Sequence, residues 1–176
     1  MATQAEVGKA QQSRAGKYLT FVLAKESYGL EILKVREIMG LMDITAVPRT
    51  PEHVKGVINL RGKVIPVVDL RLKFGMAEAE HTEETCIIVV QVATIQMGIL
   101  VDKVSEVLNI QGQDIEDPPS FGTEVNTDFI LGMGNANGKV TILLDISKLL
   151  LHEDALAVQA TMTDQQDSSA ESAPQA

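Results

Sequence analysis

Hydrophobic positions along this chain fall into short Val/Ile/Leu-rich runs, broken by Gly, Pro and Asp at intervals of roughly ten residues. That spacing predicts an all-β barrel or sandwich with few long helices. Tyr18 to Ala24 predicts a first strand, and Ser27-Tyr28-Gly29 the turn that reverses it. Val54–Leu60 and Lys63–Leu70 are β-branched runs separated only by Arg61-Gly62, which predicts a tight hairpin with Gly supplying a positive φ. Pro66 has no N–H to give to a ladder, which places it at an edge or a bulge. Asp69 is positioned to cap a short helix over 70–74 that Gly75 ends. Strands are expected over 85–92, 97–101, 104–110 and 138–146, the last running into a short helix over 147–152. Leu30–Met39 carries apolar residues at 30, 32, 33, 35, 38 and 39, a spacing shared between helix and strand. A short helix or turn followed by a strand is expected there, and Asp114–Pro119 reads as a loop.

The pattern repeats. Gly29, Lys34, Val35 and Glu37 recur as Gly98, Lys103, Val104 and Glu106 at a shift of 69. Farther along, Gly56, Asn59, Gly62, Lys63, Val64 and Asp69 recur as Gly132, Asn135, Gly138, Lys139, Val140 and Asp145 at a shift of 76. Two matches in the same order predict two similar β-subdomains, centred on 28–75 and on 97–152, within a folded part spanning 18–152. A groove between two such units is the natural place for a binding site. The halves differ at one notable position: Arg61 stands where the second half has Asn137, although both keep the glutamate. A bidentate pair between Glu37 and Arg61 follows if the two face each other. Its bland reading is a solvated ion pair worth about 0–1 kcal/mol, and its sharper one is an arginine projecting into a partner interface.

Charge narrows the function class. Over 176 residues, 15 Lys+Arg against 24 Asp+Glu give a net charge of −9, with no Trp, two Tyr and four Phe. Such a chain repels phosphate backbones and lacks stacking platforms, so nucleic acid is excluded as an expected partner. The acidity is uneven. Residues 1–17 read as an unstructured leader of charge +2, and 153–176, with five acidic residues and no Lys or Arg, as an acidic disordered tail. The polar start and the lack of a long apolar run predict a cytoplasmic protein.

Catalytic groups do not converge in the pattern. His53, His81 and His152 are scattered without metal-ligand spacing, so no metal is expected. Cys86, the one cysteine, sits in Thr-Cys-Ile-Ile-Val-Val and reads as a buried strand residue. Glu83-Glu84 reads as a solvated turn. No nucleophile elbow, P-loop or dinucleotide-binding glycine fingerprint is present, and no cofactor is expected. The pattern therefore points to a non-catalytic adaptor; the alternative is a small-molecule-binding barrel or a hydrolase using the inter-subdomain groove.

Lys55-Gly-Val-Ile-Asn-Leu-Arg-Gly-Lys-Val-Ile-Pro-Val-Val-Asp-Leu-Arg71, preceded by Tyr28-Gly-Leu-Glu-Ile-Leu-Lys-Val-Arg-Glu-Ile38, resembles the family of bacterial chemotaxis coupling proteins, CheW. Gly98, Asp102, Val104 and Val107, with Leu143-Leu-Asp-Ile-Ser-Lys-Leu-Leu150, extend the similarity over roughly Lys17 to Leu151. The resemblance implies two intertwined five-stranded SH3-like β-barrels. It also implies an adaptor that links the cytoplasmic hairpin tip of chemoreceptors to the regulatory domain of the histidine kinase CheA, in arrays at the inner face of the membrane. Membrane contact would then be indirect, through the receptors. Carried over by position, Glu37 and Arg61 are paired beside a receptor-binding groove, and Val35, Gly56 and Gly98 are positions sensitive in coupling. Ile38, Val57 and Asn59 complete the expected groove, and the kinase-facing residues are unassigned.

Overall fold

The structure, a computed structural model, describes residues 14–119 and 128–150. Along the chain run β1 (Gly16–Leu23), β2 (Glu26–Glu31), a 3-10 turn (Ile32–Lys34), β3 (Val35–Gly40), β4 (Val54–Leu60), β5 (Lys63–Asp69) and α1 (Leu70–Lys73). They are followed by β6 (Cys86–Val92), β7 (Ile95–Val101), β8 (Lys103–Ile110), β9 (Ile115–Glu116), β10 (Ile130–Ala136), β11 (Lys139–Leu144) and α2 (Ile146–Leu149). The chain is mainly β, in two sheets. The first has the order β3-β6-β7-β5-β4, and the second β8-β1-β2-β11-β10-β9. Each curls into a small SH3-like barrel. In the first barrel the seam is closed by Thr45 and Val57, which exchange both backbone hydrogen bonds at 2.8 and 2.9 Å. The second gains a short sixth strand, β9, within the stretch that reads as a loop.

The repeat and the sheets are not the same units. Gly29 of β2 pairs in parallel with Leu143 of β11, whereas Gly98 of β7 pairs in parallel with Val67 of β5. Each half of the repeat therefore lends strands to both barrels, and the chain crosses between sheets at 32–34 and again at Asp102. The expected leader and tail fall mostly outside the described residues, but Gly16 and Lys17 already belong to β1, opposite Ile110 and Asn109.

Burial follows from this arrangement: where one face of a sheet lies in its own barrel and the other against the second barrel, strands such as β6 and β7 are buried at successive positions, whereas β3 alternates. Ile58, Ile65, Val67, Ile87, Val89 and Leu100 fill the first barrel. Tyr18, Ile110, Ile115 and Leu143 fill the second. Between the sheets lies the largest cluster, including Phe21, Leu30 and Leu144 from one side and Val68, Ile88 and Ile99 from the other. Most of the space between the barrels is thus filled by packed apolar side chains, with a cleft left open beside Ala24, Arg71 and Asp102. Four of the six aromatic residues stack in one row through this region, Phe21 on Tyr28, Tyr28 on Phe74 and Phe74 on Phe129, with centroids 5.5–5.8 Å apart.

Two local expectations change. The first hairpin turns at Ala24-Lys25, with φ of 48° and 74°, and not at Ser27-Tyr28-Gly29, which lie inside β2. Gly29 serves close packing instead, because a Cβ there would lie 2.9 Å from Leu143 Cδ2. Pro66 sits inside the sheet, opposite Val57. Val57 turns both its backbone groups away to Thr45, so the pair asks no hydrogen bond of the proline nitrogen. The hairpin and its helix stand as expected: Asp69 accepts from the N–H groups of Arg71 and Leu72 at 2.9 and 3.4 Å. Asp145 does the same for Ser147 and Lys148 at 3.1 and 3.3 Å.

Candidate functional site

The β4–β5 turn places Arg61 and Gly62 at φ of 52° and 84°, both in the left-handed region that a two-residue hairpin with right-handed strand twist requires. Gly accepts this without penalty, and a β-unbranched L-residue accepts it at a cost of about 1–2 kcal/mol. The equivalent turn in the second barrel solves the problem conventionally, with Asn137 and Gly138 at 54° and 75°. Asn59 braces the first turn from below, its Oδ1 accepting from the Gly62 N–H at 2.9 Å.

From this strained position the Arg61 guanidinium forks onto Glu37 of β3. One nitrogen donates to Oε2, and the other donates to Oε1 at 3.4 Å. β3 and β4 are the two edges of the first sheet, so the ion pair spans the seam at which the barrel closes. Arg61 remains 72% exposed and Glu37 33%. In the second barrel the matching positions are Glu106 and Asn137, which cannot form such a pair.

β3 alternates between half-buried Val35, Glu37 and Met39 and exposed Arg36 and Ile38. Ile38 is 44% exposed beside the ion pair in sequence, and Leu33, Leu41 and Val64 are further exposed apolar side chains of this barrel. Val64, directly opposite Asn59 in the hairpin, was not among the expected site residues. Its signal was available, since it stands two residues past the turn at a position of outward phase.

The remaining expected residues are buried or half-buried. Val35 is half-buried against the inter-barrel cluster, as is Val57. Gly56 has φ +142°, and a Cβ there would lie 2.0 Å from the Thr45 carbonyl oxygen, so the seam itself demands glycine. Gly98 is buried in β7, where a Cβ would meet Ile87 Cγ2 at 3.0 Å and Val67 Cγ2 at 3.3 Å. Of the eight residues, the structure pairs Glu37 with Arg61, sets Asn59 under the same turn and leaves Ile38 exposed next to Glu37 along β3, while Val35, Gly56, Val57 and Gly98 are buried or half-buried.

Elsewhere the chemistry stays sparse. Among the described residues, no three His, Cys, Asp or Glu side chains converge as a metal site. His53 gives its carbonyl to the Asp69 N–H at 2.8 Å. Cys86 opens β6 half-buried, a shade more open than expected, and its thiol donates to the Glu84 carbonyl at 3.1 Å. No helix of the described residues is long and apolar enough to cross a membrane.

Comparison with known proteins agrees with this geometry. The family model described as CheW-like domain matches residues 17–154. A chemotaxis protein CheW from Klebsiella aerogenes is 39% identical over 159 residues, covering 90% of this chain and 96% of the relative. CheW of Rhizobium meliloti is 34% identical over 81% of this chain and 97% of its own length. The crystal structure of the scaffolding protein TtCheW from Thermoanaerobacter tengcongensis superposes with a TM-score of 0.72 at 37% identity, covering 80% of this chain and 95% of that one. The chain belongs to the CheW-like domain family.

Proposed function

We propose that this protein is a non-catalytic scaffold of a chemotaxis signalling complex, coupling chemoreceptors to the histidine kinase CheA. The observation that carries the reading is Arg61: a charged, exposed side chain held at a strained turn position and aimed at Glu37 across the barrel seam, where the other barrel has a plain Asn-Gly turn. Strain kept at an exposed site, with no gain in core packing, is a mark of recognition. Exposed Ile38 and Val64 supply apolar area around it, and an α-helical hairpin from a receptor could lay its apolar face there. Glu37, Ile38 and Arg61 are the proposed contacts, Asn59 the brace, and Val35, Gly56, Val57 and Gly98 the packing behind them. The kinase partner is its regulatory domain, and the proposed location is the cytoplasmic side of receptor arrays.

A ligand-binding barrel or hydrolase receives less support: most of the space between the barrels is packed with apolar side chains, and in the cleft beside it Arg71 and Asp102 are engaged with each other. The deciding experiment is titration of the full chain against a CheA regulatory domain and against a receptor cytoplasmic fragment. Binding of both in the micromolar range or tighter is expected. No binding of either at tens of micromolar would overturn the proposal.

A further inference from the structure

Asp102 lies on the chain segment where β7 of the first barrel passes into β8 of the second. Its carboxylate is met from both sides. Arg71 of α1, on the first barrel, donates through Nε to Oδ1 at 2.7 Å and through a terminal nitrogen to Oδ2 at 2.5 Å. The Ala24 N–H, in the β1–β2 turn of the second barrel, donates to Oδ2 at 3.0 Å. Three segments distant in sequence thus converge on one side chain, and both its oxygens are used. The cluster is partly shielded, with Arg71 20% and Asp102 28% exposed, at the edge of a cleft of about 610 Å³ that also includes Lys25, Glu80 and Lys103.

The repeat supplies an internal control. At the shifts of 69 and 76, Asp102 corresponds to Leu33, Arg71 to Ser147 and Ala24 to Ala93. Leu33 cannot accept a hydrogen bond, and it is 84% exposed. The two crossings between the sheets are therefore unlike: one is bound by a bidentate ion pair and a backbone bond, and the other carries an exposed leucine.

Packing between the barrels is apolar, mostly aliphatic with one row of stacked rings, and such packing opposes separation more than it opposes sliding or rotation, because it is largely non-directional. Bidentate, charge-assisted bonds have a preferred geometry and oppose rotation. We infer that the Arg71–Asp102–Ala24 cluster is a one-sided latch that fixes the angle between the two barrels, so that its loss loosens their mutual orientation while each barrel stays folded. The inference stands whether or not the proposed partners are correct.

Spin labels at Lys63→Cys and Lys139→Cys, equivalent exposed positions on the two hairpins, report the inter-barrel distance in a Cys86→Ala background. Arg71→Ala is expected to replace a single narrow distance distribution by a broad one and to raise amide exchange at Ala24 by about tenfold or more. Lys55→Ala breaks a comparable ion pair, with Glu78, that lies within the first barrel, and should leave the distribution narrow. Asp102→Asn, which keeps acceptor capacity for Ala24 and loses the ion pair, should broaden it partially and serves if Arg71→Ala does not fold. An unchanged distribution in the folded Arg71 or Asp102 variant, or equal broadening in Lys55→Ala, would overturn the latch.

Discussion

Arg61 holds Glu37 across the closing seam of the first barrel, from a backbone conformation that arginine adopts only under constraint. The pair is too exposed to stabilise the fold by much, since ion pairs of this kind contribute about 0–1 kcal/mol. Glu37 in turn fixes which way the guanidinium faces. The seam contact therefore organises a surface more than it holds the barrel shut.

Substituting Arg61 by Asn, the residue the second barrel uses at the same turn, separates those roles. Asn tolerates left-handed φ, so Arg61→Asn should leave stability unchanged or raise it by up to about 1 kcal/mol in urea unfolding. If Arg61 anchors a partner, the same variant should weaken receptor-fragment affinity by about 2 kcal/mol, near thirtyfold. Intact affinity in the folded variant would remove Arg61 from the interface.

Gly98 makes the opposite prediction. Its missing Cβ leaves room for Ile87 and Val67, so Gly98→Ala should destabilise by about 1–3 kcal/mol through overpacking. Any loss of coupling should track the loss of folded protein. Adding Val67→Ala, which removes one clashing methyl, should give a double variant less unstable than the sum of the singles. Simple additivity, with reduced partner affinity at full folding, would instead place Gly98 in a binding surface.

What the sequence revealed and what it hid divide along a physical line. The β4–β5 hairpin, its Arg61-Gly62 turn and the Asp69 and Asp145 caps are local, and local chemistry specifies them. The repeat was equally visible. Strand exchange between its halves was not, because Gly29 finds Leu143 more than a hundred residues away and pattern alone carries no partner. Ala24 and Lys25 gave no turn signal, since neither favours a positive φ; the Asp102 carboxylate on the Ala24 N–H helps hold them there. Asp102 and Arg71 lie within the motifs that carry the resemblance, yet spacing along the chain does not reveal that they meet.

Asp102 should also leave a trace in the acid stability of the protein. Its hydrogen-bonded Arg71 guanidinium holds the carboxyl below its ordinary value, against the opposing effect of burial, with the Ala24 N–H adding to the lowering. A carboxylate with a depressed folded-state pKa contributes stability that is full above its unfolded value, about 3.9, and that is lost as pH falls through the folded value. The stability difference between the natural chain and Asp102→Asn should therefore be constant from neutral pH down to about 5, then shrink at lower pH. Urea unfolding at several pH values checks this, and a difference that grows below pH 4 would show that the carboxyl is not held ionised by Arg71.

The exchange of strands makes one more prediction. Residues 14–84 contain β1 and β2 of one sheet and β3, β4 and β5 of the other, but lack β6 and β7, which lie between β3 and β5. Residues 85–150 have the mirrored deficit, since β1 and β2 stand between β8 and β11. Each fragment alone leaves unpaired sheet edges and half of the inter-barrel cluster facing water, a state that cannot offset its chain entropy. Both fragments should be unfolded by circular dichroism when separate and should regain β structure together when mixed at equal concentration. A fragment that folds alone would mean that its strands re-pair within one half, turning two interlocked barrels into one simple barrel per repeat.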